Sequence, residues 1–206
     1  MYHGCAPTFD HQDRVTSLKI LITGAYSTGK STLIAVVSKS LESSGIPVFV
    51  LSDSSREINF PLNREQGHDT TLWLLSWQIS KERLSKSLGA SYRVVFCDRG
   101  VPDILAHDLE ARRRGQELQS EIALQAALNW CCSYDLSFLS TIDETIPVQE
   151  DGVRVADPSY RRLMGEFAAQ TAAYLTTCQT LPLALEDRVT FVRSRILSAL
   201  GYSEGA

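Results

Sequence analysis

The octet Gly24-Ala-Tyr-Ser-Thr-Gly29-Lys30-Ser31 constrains this chain more than any other stretch. It fits the pattern G-x-x-x-x-G-K-[ST], and its flanks are those the pattern requires. The apolar run Leu18-Lys-Ile-Leu-Ile22 leads in as a strand, and Thr32-Leu-Ile-Ala-Val-Val-Ser-Lys39 leads out as a helix. Strand, glycine loop and helix make a phosphate cradle: backbone N–H groups face the anion and the helix N-terminus adds its dipole. The expected contacts are Gly24, Tyr26, Ser27, Thr28, Gly29, Lys30, Ser31 and Thr32. Lys30 would reach the β- and γ-phosphates, and the Ser31 hydroxyl would hold Mg²⁺. The bulk of Tyr26 predicts a ring turned outward from the loop.

Strand and helix patterns alternate along the rest of the chain. Ile46–Leu51, Tyr92–Cys97, Asp135–Ser140 and Leu181–Leu185 read as further strands. Helices are expected from Asp69, as N-cap, to Leu88, from Pro102 to Arg112, and from Leu118 to Cys132. Two more run from Ser159 to Gln179, with an apolar stripe, and from an Asp187 cap to Leu200. Strands separated by helices predict an α/β fold, a parallel sheet covered on both faces. Ligands in such folds bind outside the carboxyl ends of the strands. Gly24, Asp53, Asp98, Asp143 and Glu186 follow the expected strands and should gather along that edge. Residues 1–17 read as a polar tail and 18–206 as one domain, in line with a chain of 206 residues.

Several side chains could carry chemistry there. Asp98, after Val94-Val-Phe-Cys97, has the strand-end position of a Mg²⁺-binding acid; a helix cap is the plainer alternative. Arg99 could bridge phosphates or clamp an acceptor with its planar fork, or form a surface ion pair. Asp53 could accept a proton from an attacking hydroxyl, or close an Asx turn on its own backbone. Arg56 could pair with Asp53 or touch the acceptor. Gln66, His68 and the helix around Trp73 are candidates for the acceptor pocket, although Trp73 and Trp77 also fit a core. The irregular stretch with Arg154, Arg161 and Arg162 reads as a lid, with Gly152 as its hinge. Two arginines beside a helix N-terminus oppose its dipole and want an anionic partner. Adjacent helical residues diverge by about 100°, so only one of Arg161 and Arg162 should face the phosphates.

Composition removes other classes. The net charge of −4 gives no basic footprint for nucleic acid. No apolar stretch is long enough to span a bilayer, and Met1–Ser17 lacks the apolar core of a secretory signal. The five cysteines lack metal-ligand spacing and read as buried thiols of a cytoplasmic protein. The four histidines form no H-x-x-x-H pair.

The octet, Asp53-Ser-Ser-Arg56-Glu57, Asp98-Arg-Gly100-Val-Pro-Asp103 and Gln149-Glu-Asp-Gly152-Val-Arg154 together resemble the P-loop AAA-type ATPase/kinase domain family. That family includes the NadR-type ribosylnicotinamide kinase domain and borders on thymidylate and deoxynucleoside kinases. The resemblance spans about Leu18 to Leu200. It implies a three-layer fold with five parallel strands, ATP with Mg²⁺ as donor and a small acceptor bearing a hydroxyl. It implies Asp53 beside the acceptor, Asp98 as the strand-end acid, and Arg154 with Arg161 or Arg162 as the lid. It also implies Glu186 and Arg188 near the adenine edge. Many relatives carry Glu where this chain has Asp53, so the identity of the base stays open between Asp53 and Asp98.

The expected function is an ATP- and Mg²⁺-dependent kinase acting on a nucleoside-like or natural-product hydroxyl. Its partner is then a small molecule, with no membrane role and with a homodimer allowed. A nucleotide-dependent switch acting on a protein partner is the alternative. A polynucleotide 5′-kinase is disfavoured by charge, and a GTPase by the missing N-K-x-D tetrapeptide.

Overall fold

The two faces of the central sheet are set by simple alternation. Ile20, Ile22, Val94 and Phe96 pack on one side, and Leu21, Val95 and Cys97 on the other, each at most 1 % exposed. Strands buried on both faces read as near-continuous apolar runs, and β1 and β3 come close to that, with Lys19 and Thr23 the buried polar residues of β1. The computed structural model describes residues 17–87, 91–145 and 157–202.

The five strands are β1 (Leu18–Thr23), β2 (Val48–Leu51), β3 (Val94–Asp98), β4 (Leu136–Leu139) and β5 (Gln179–Thr180). They form one parallel sheet in the order β2-β3-β1-β4-β5. Helices α1 (Lys30–Ser43) and α6 (Leu185–Ala199) cover the face of Ile20, through Leu33, Val37, Val192 and Ile196. Helices α2 (His68–Ser87), α3 (Val101–Arg112) and α4 (Glu121–Cys131) cover the face of Leu21, joined by the end of α5 (Pro158–Ala172). This is the three-layer α/β fold of P-loop kinases. The strand order reverses direction about β1, which places the glycine loop and the ends of β2 and β3 around one crevice.

Four local expectations are corrected. α2 begins at His68, so Asp69 lies in its first turn and is not its cap. α5 stops at Ala172, where Ala173, Tyr174 and Leu175 turn to bonds three residues back. The chain must turn there to bring Gln179 beside Phe138, which makes Gln179–Thr180 the fifth strand. The Leu181 amide makes a last bond to Leu139, and Pro182, without an N–H, cannot continue the ladder. Ala184 rather than Asp187 precedes α6, and Glu186 and Asp187 sit in its first turn, where acidic groups suit the dipole. Of the cysteines, Cys97 and Cys131 are buried but Cys132 is exposed.

Candidate active site

The glycine loop is shaped by backbone requirements that few residues meet. Gly24 has φ +133°, and a Cβ there would lie 2.2 Å from the Ser140 carbonyl oxygen. Gly29 (φ 78°) precedes α1 with no side-chain cap, and no acidic residue occupies the first turn of that helix. The helix N-terminus is therefore free to meet an anion. Arg161, outside the cavity beside this loop, donates to the Ser27 carbonyl (2.8 Å), and Arg188, which lines that cavity, donates to the Thr28 carbonyl (2.6 Å). Trans peptide geometry turns the next amides, of Thr28 and Gly29, the opposite way.

A cavity of about 640 Å³ opens beside this loop, within the range of about 300–1,000 Å³ usual for small-molecule sites. Residues Tyr26 to Thr32 line one end of it. Lys30 is 5 % exposed, and its Nζ donates to the carbonyls of Gly24 (2.9 Å) and Ala25 (2.5 Å). Burial, with the like charge of Arg99 added, pushes Lys30 down to about 7. The Ser31 hydroxyl donates to Asp98 Oδ2 at 2.6 Å. The Tyr26 ring does not point outward: it is buried beside Tyr160, and its hydroxyl donates to the Asp157 carbonyl. Turning inward lets the ring pack on α5, which the loop sequence alone does not reveal.

Next to the loop the wall is organised by Arg99, whose Nη1 also reaches the Gly24 carbonyl at 3.4 Å. Its Nε meets Asp53 Oδ2 at 3.0 Å, and its Nη1 meets Asp103 Oδ1 at 3.3 Å. Arg99 holds φ 72°, a conformation that costs a non-glycine residue about 1–2 kcal/mol, so the surrounding bonds must fix it. Burial works to raise the Asp53 carboxyl, but Arg99 and the Ser55 amide outweigh it and hold Asp53 below its usual range. Asp53 closes the expected turn, accepting from the Ser55 amide at 2.9 Å, and it also lines the cavity. Asp103 also accepts from the amides of Gly24 and Gly100, which ties the start of the phosphate loop to the end of β3.

Of the other residues that the sequence points to, Gln66, Arg99 and Arg188 line the cavity, as do Asp53, Asp98 and Asp143. His68, Trp73, Glu186 and Arg162 do not. His68 Nδ1 accepts from the Gln119 amide, and Trp73 stacks on Trp77 with centroids 5.7 Å apart. Glu186 is exposed on α6, and Arg162 pairs with Glu144 on the surface at 2.9 Å. Arg161 faces the loop but reaches it from behind, outside the cavity. Arg154 and the hinge at Gly152 lie outside the described residues, as does the side chain of Arg56.

The lining also includes Gln78, Asp103 and His107, to which the sequence patterns gave no role. Asp103 and His107 lie four residues apart on α3, a spacing that brings side chains onto one helical face. That spacing is a signal the sequence did hold. Burial and the nearby Arg99 charge push His107 down to about 4, so it is a neutral imidazole at pH 7.

The residues fit a magnesium nucleotide. Ser31 and Asp98 offer a hydroxyl and a carboxylate oxygen on the cavity wall, the hard donors Mg²⁺ takes. Among the described residues no group of three His, Cys, Asp or Glu is placed to hold a metal, so the phosphates would complete the shell. Arg188 also lines the cavity, and its Nη2 is buried without a hydrogen-bond partner among the described residues, a donor suited to an anion.

Fold and loop together define a P-loop α/β domain with the fold of P-loop kinases. A family model described as an AAA domain matches residues 19–179. The chain belongs to that AAA domain family. Among solved structures it is similar to a deoxyadenosine kinase from M. mycoides with products dCMP and a flexible dCDP bound. That likeness has a TM-score of 0.64 at 13% identity, over 88% of this chain and 100% of the other. It is also similar to the thymidylate kinase of Candida albicans, with a TM-score of 0.63 at 18% identity, over 90% of this chain and 93% of the other. No curated protein matches the chain in sequence. Among the described residues no helix is long and apolar enough to cross a membrane.

Proposed function

We propose that this chain transfers the γ-phosphoryl group of ATP to a hydroxyl of a small, nucleoside-like molecule. The observation that carries the reading is one cavity lined both by the phosphate loop and by the Asp53–Arg99 pair, with Arg99 and Lys30 meeting at the Gly24 carbonyl. Both similar structures are kinases by name, one of a deoxynucleoside and one of a nucleotide. We also read residues 18–206 as one catalytic domain acting in the cytoplasm.

Phosphoryl transfer asks for positioning and charge stabilisation more than covalent chemistry. Lys30 holds the β- and γ-phosphate oxygens, exchanging the Gly24 and Ala25 carbonyls for them. Ser31 and Asp98 hold Mg²⁺, which when bound neutralises phosphate charge and orients the reacting group. Asp53 accepts a hydrogen bond from the attacking hydroxyl and orients it. Arg99 keeps Asp53 ionised and aimed, and Arg161 braces the loop from outside. The lid residue Arg154 adds charge to the transferring group in this reading.

The test is a panel of nucleosides, sugars and hydroxylated metabolites, scored for ADP release and for phosphorylated product by mass. Acceptor-dependent ADP release with a product one phosphoryl heavier supports the proposal. Hydrolysis indifferent to every acceptor refutes it.

A further inference from the structure

Next to Gln78, which lines the cavity, lies a buried charged group that is not itself part of the lining. Glu82, on α2, is 0% exposed, and both of its carboxylate oxygens are bonded. Oε1 accepts from Gln78 Nε2 (2.8 Å) and the Tyr134 hydroxyl (2.7 Å). Oε2 accepts from Lys19 Nζ (3.0 Å) and Trp130 Nε1 (2.7 Å). Lys19, itself 3% exposed, is further held over the rings of Trp130 and Tyr134 at 4.7 and 4.5 Å. A buried ion pair adds little stability by itself, because desolvation offsets its attraction. An arrangement this complete asks for another reason.

The cluster leads to the site by two routes. Gln78 lines the cavity, accepts from the Ser54 hydroxyl at 2.5 Å and approaches the Arg99 carbonyl at 3.5 Å. Ser54 directly follows Asp53. Tyr134 accepts from the Val101 amide at 3.1 Å, and its hydroxyl fills the space above Gly100, where a Cβ would lie 2.4 Å away. Gly100 and Val101 directly follow Arg99. Glu82 thus reaches the backbone of Arg99 through one side chain, Gln78, and that of Asp53 through two, Gln78 and Ser54.

We propose that Glu82, anchored by Lys19, is a positioning residue that fixes Asp53 and Arg99 for transfer and sets which edge Gln78 shows the acceptor. The inference rests on the kinase reading above. A carboxylate only accepts, so the Gln78 amide must turn its NH₂ toward Glu82 and its oxygen toward Ser54. Glu82→Gln has the same shape but must place an NH₂ somewhere. Toward Lys19 and Trp130 it would meet two groups that cannot accept. It must therefore turn to Gln78 and Tyr134, which forces Gln78 to invert its amide and brings the Gln78 oxygen against the Arg99 carbonyl.

The experiment compares wild type, Glu82→Gln, Tyr134→Phe and Ile196→Ala in acceptor kinetics, Mg-ATP calorimetry and thermal melting. Ile196 is a core residue on the opposite face of the sheet and serves as the stability control. Glu82→Gln is expected to lower kcat/KM for the acceptor about a hundredfold, the scale of a small misplacement of reacting groups. Tyr134→Phe should lower it about tenfold by loosening one route. Both should keep the ATP Kd within about twofold, and Ile196→Ala should keep wild-type kcat/KM while melting earlier. Acceptor kinetics of Glu82→Gln equal to those of Ile196→Ala, or equal losses of ATP binding and acceptor turnover, would overturn the proposal. If Glu82→Gln does not fold, unchanged turnover in Tyr134→Phe overturns it. A wild type inactive on every acceptor is a different result, and it defeats the kinase reading together with this inference.

Discussion

The Ser31 hydroxyl donates to Asp98 Oδ2 at 2.6 Å, joining the first turn of α1 to the end of β3. Both groups face the cavity, and each is an oxygen donor that Mg²⁺ can recruit. Asp98→Asn removes the charge but keeps the shape. Its half-saturating Mg²⁺ concentration should rise by about tenfold or more, with a fall in kcat. Initial rates against Mg²⁺ at fixed ATP check this, and an unchanged Mg²⁺ dependence would remove Asp98 from the metal site.

Lys30 gives a pH signature. Burial holds its amine at about 7 in the folded chain, against 10.5 for an ordinary lysine. Between those values the unfolded chain binds the extra proton, so this group makes the ligand-free fold more stable as pH rises through that window. Below about 7 both states are protonated and the full burial penalty applies. Urea unfolding at pH 7 and 9.5 should show the rise in wild type and lose it in Lys30→Met. Phosphate contact favours the charged amine, so ATP binding at pH 8 should take up about one proton. Calorimetry in buffers of different ionisation enthalpy reads that uptake directly.

Arg161 and Arg162 should separate cleanly. Arg161 is 5% exposed and bonded to the Ser27 carbonyl, whereas Arg162 forms an exposed pair with Glu144. Arg162→Ala is expected to change stability by less than about 1 kcal/mol and leave turnover intact. Arg161→Ala should raise the ATP KM and lower the melting temperature. Equal effects of the two substitutions would contradict the bracing role of Arg161.

Gly100 is closed to any side chain. An added Cβ would lie 2.4 Å from the Tyr134 hydroxyl oxygen and 2.8 Å from Leu21 Cδ1. Gly100→Ala should cost about 1–3 kcal/mol, the usual scale of overpacking, and disturb the adjacent Arg99. Thermal melting and acceptor kinetics check both parts, and a variant as stable and active as wild type would contradict the packing.

The phosphate loop is legible in the sequence because its requirements are local. Gly24, Gly29, Lys30 and Ser31 follow a strand and open a helix within one continuous stretch. Asp98 is legible from the apolar run before it. The Asp53–Arg99–Asp103 cluster is legible only in parts, since β2 and β3 pair across a crossover that no local pattern encodes. Leu181–Leu185 looks like a strand by its apolar content, yet the polar Gln179–Thr180 takes the sheet edge because tertiary pairing outweighs propensity. Glu82 reads as an ordinary charge on a helix. Its meaning depends on Lys19, Trp130 and Tyr134, which come from other elements.

The central claim is that the loop and the Asp53–Arg99 pair act on one phosphoryl group in one cavity. Its most direct measurement is mass analysis of an acceptor panel incubated with Mg-ATP and either wild type or Lys30→Ala. The account predicts one class of acceptor gaining a single phosphoryl group with wild type and none with Lys30→Ala, while both proteins stay folded. ATP consumed at the same rate with and without every acceptor, and no acceptor gaining mass, would contradict it.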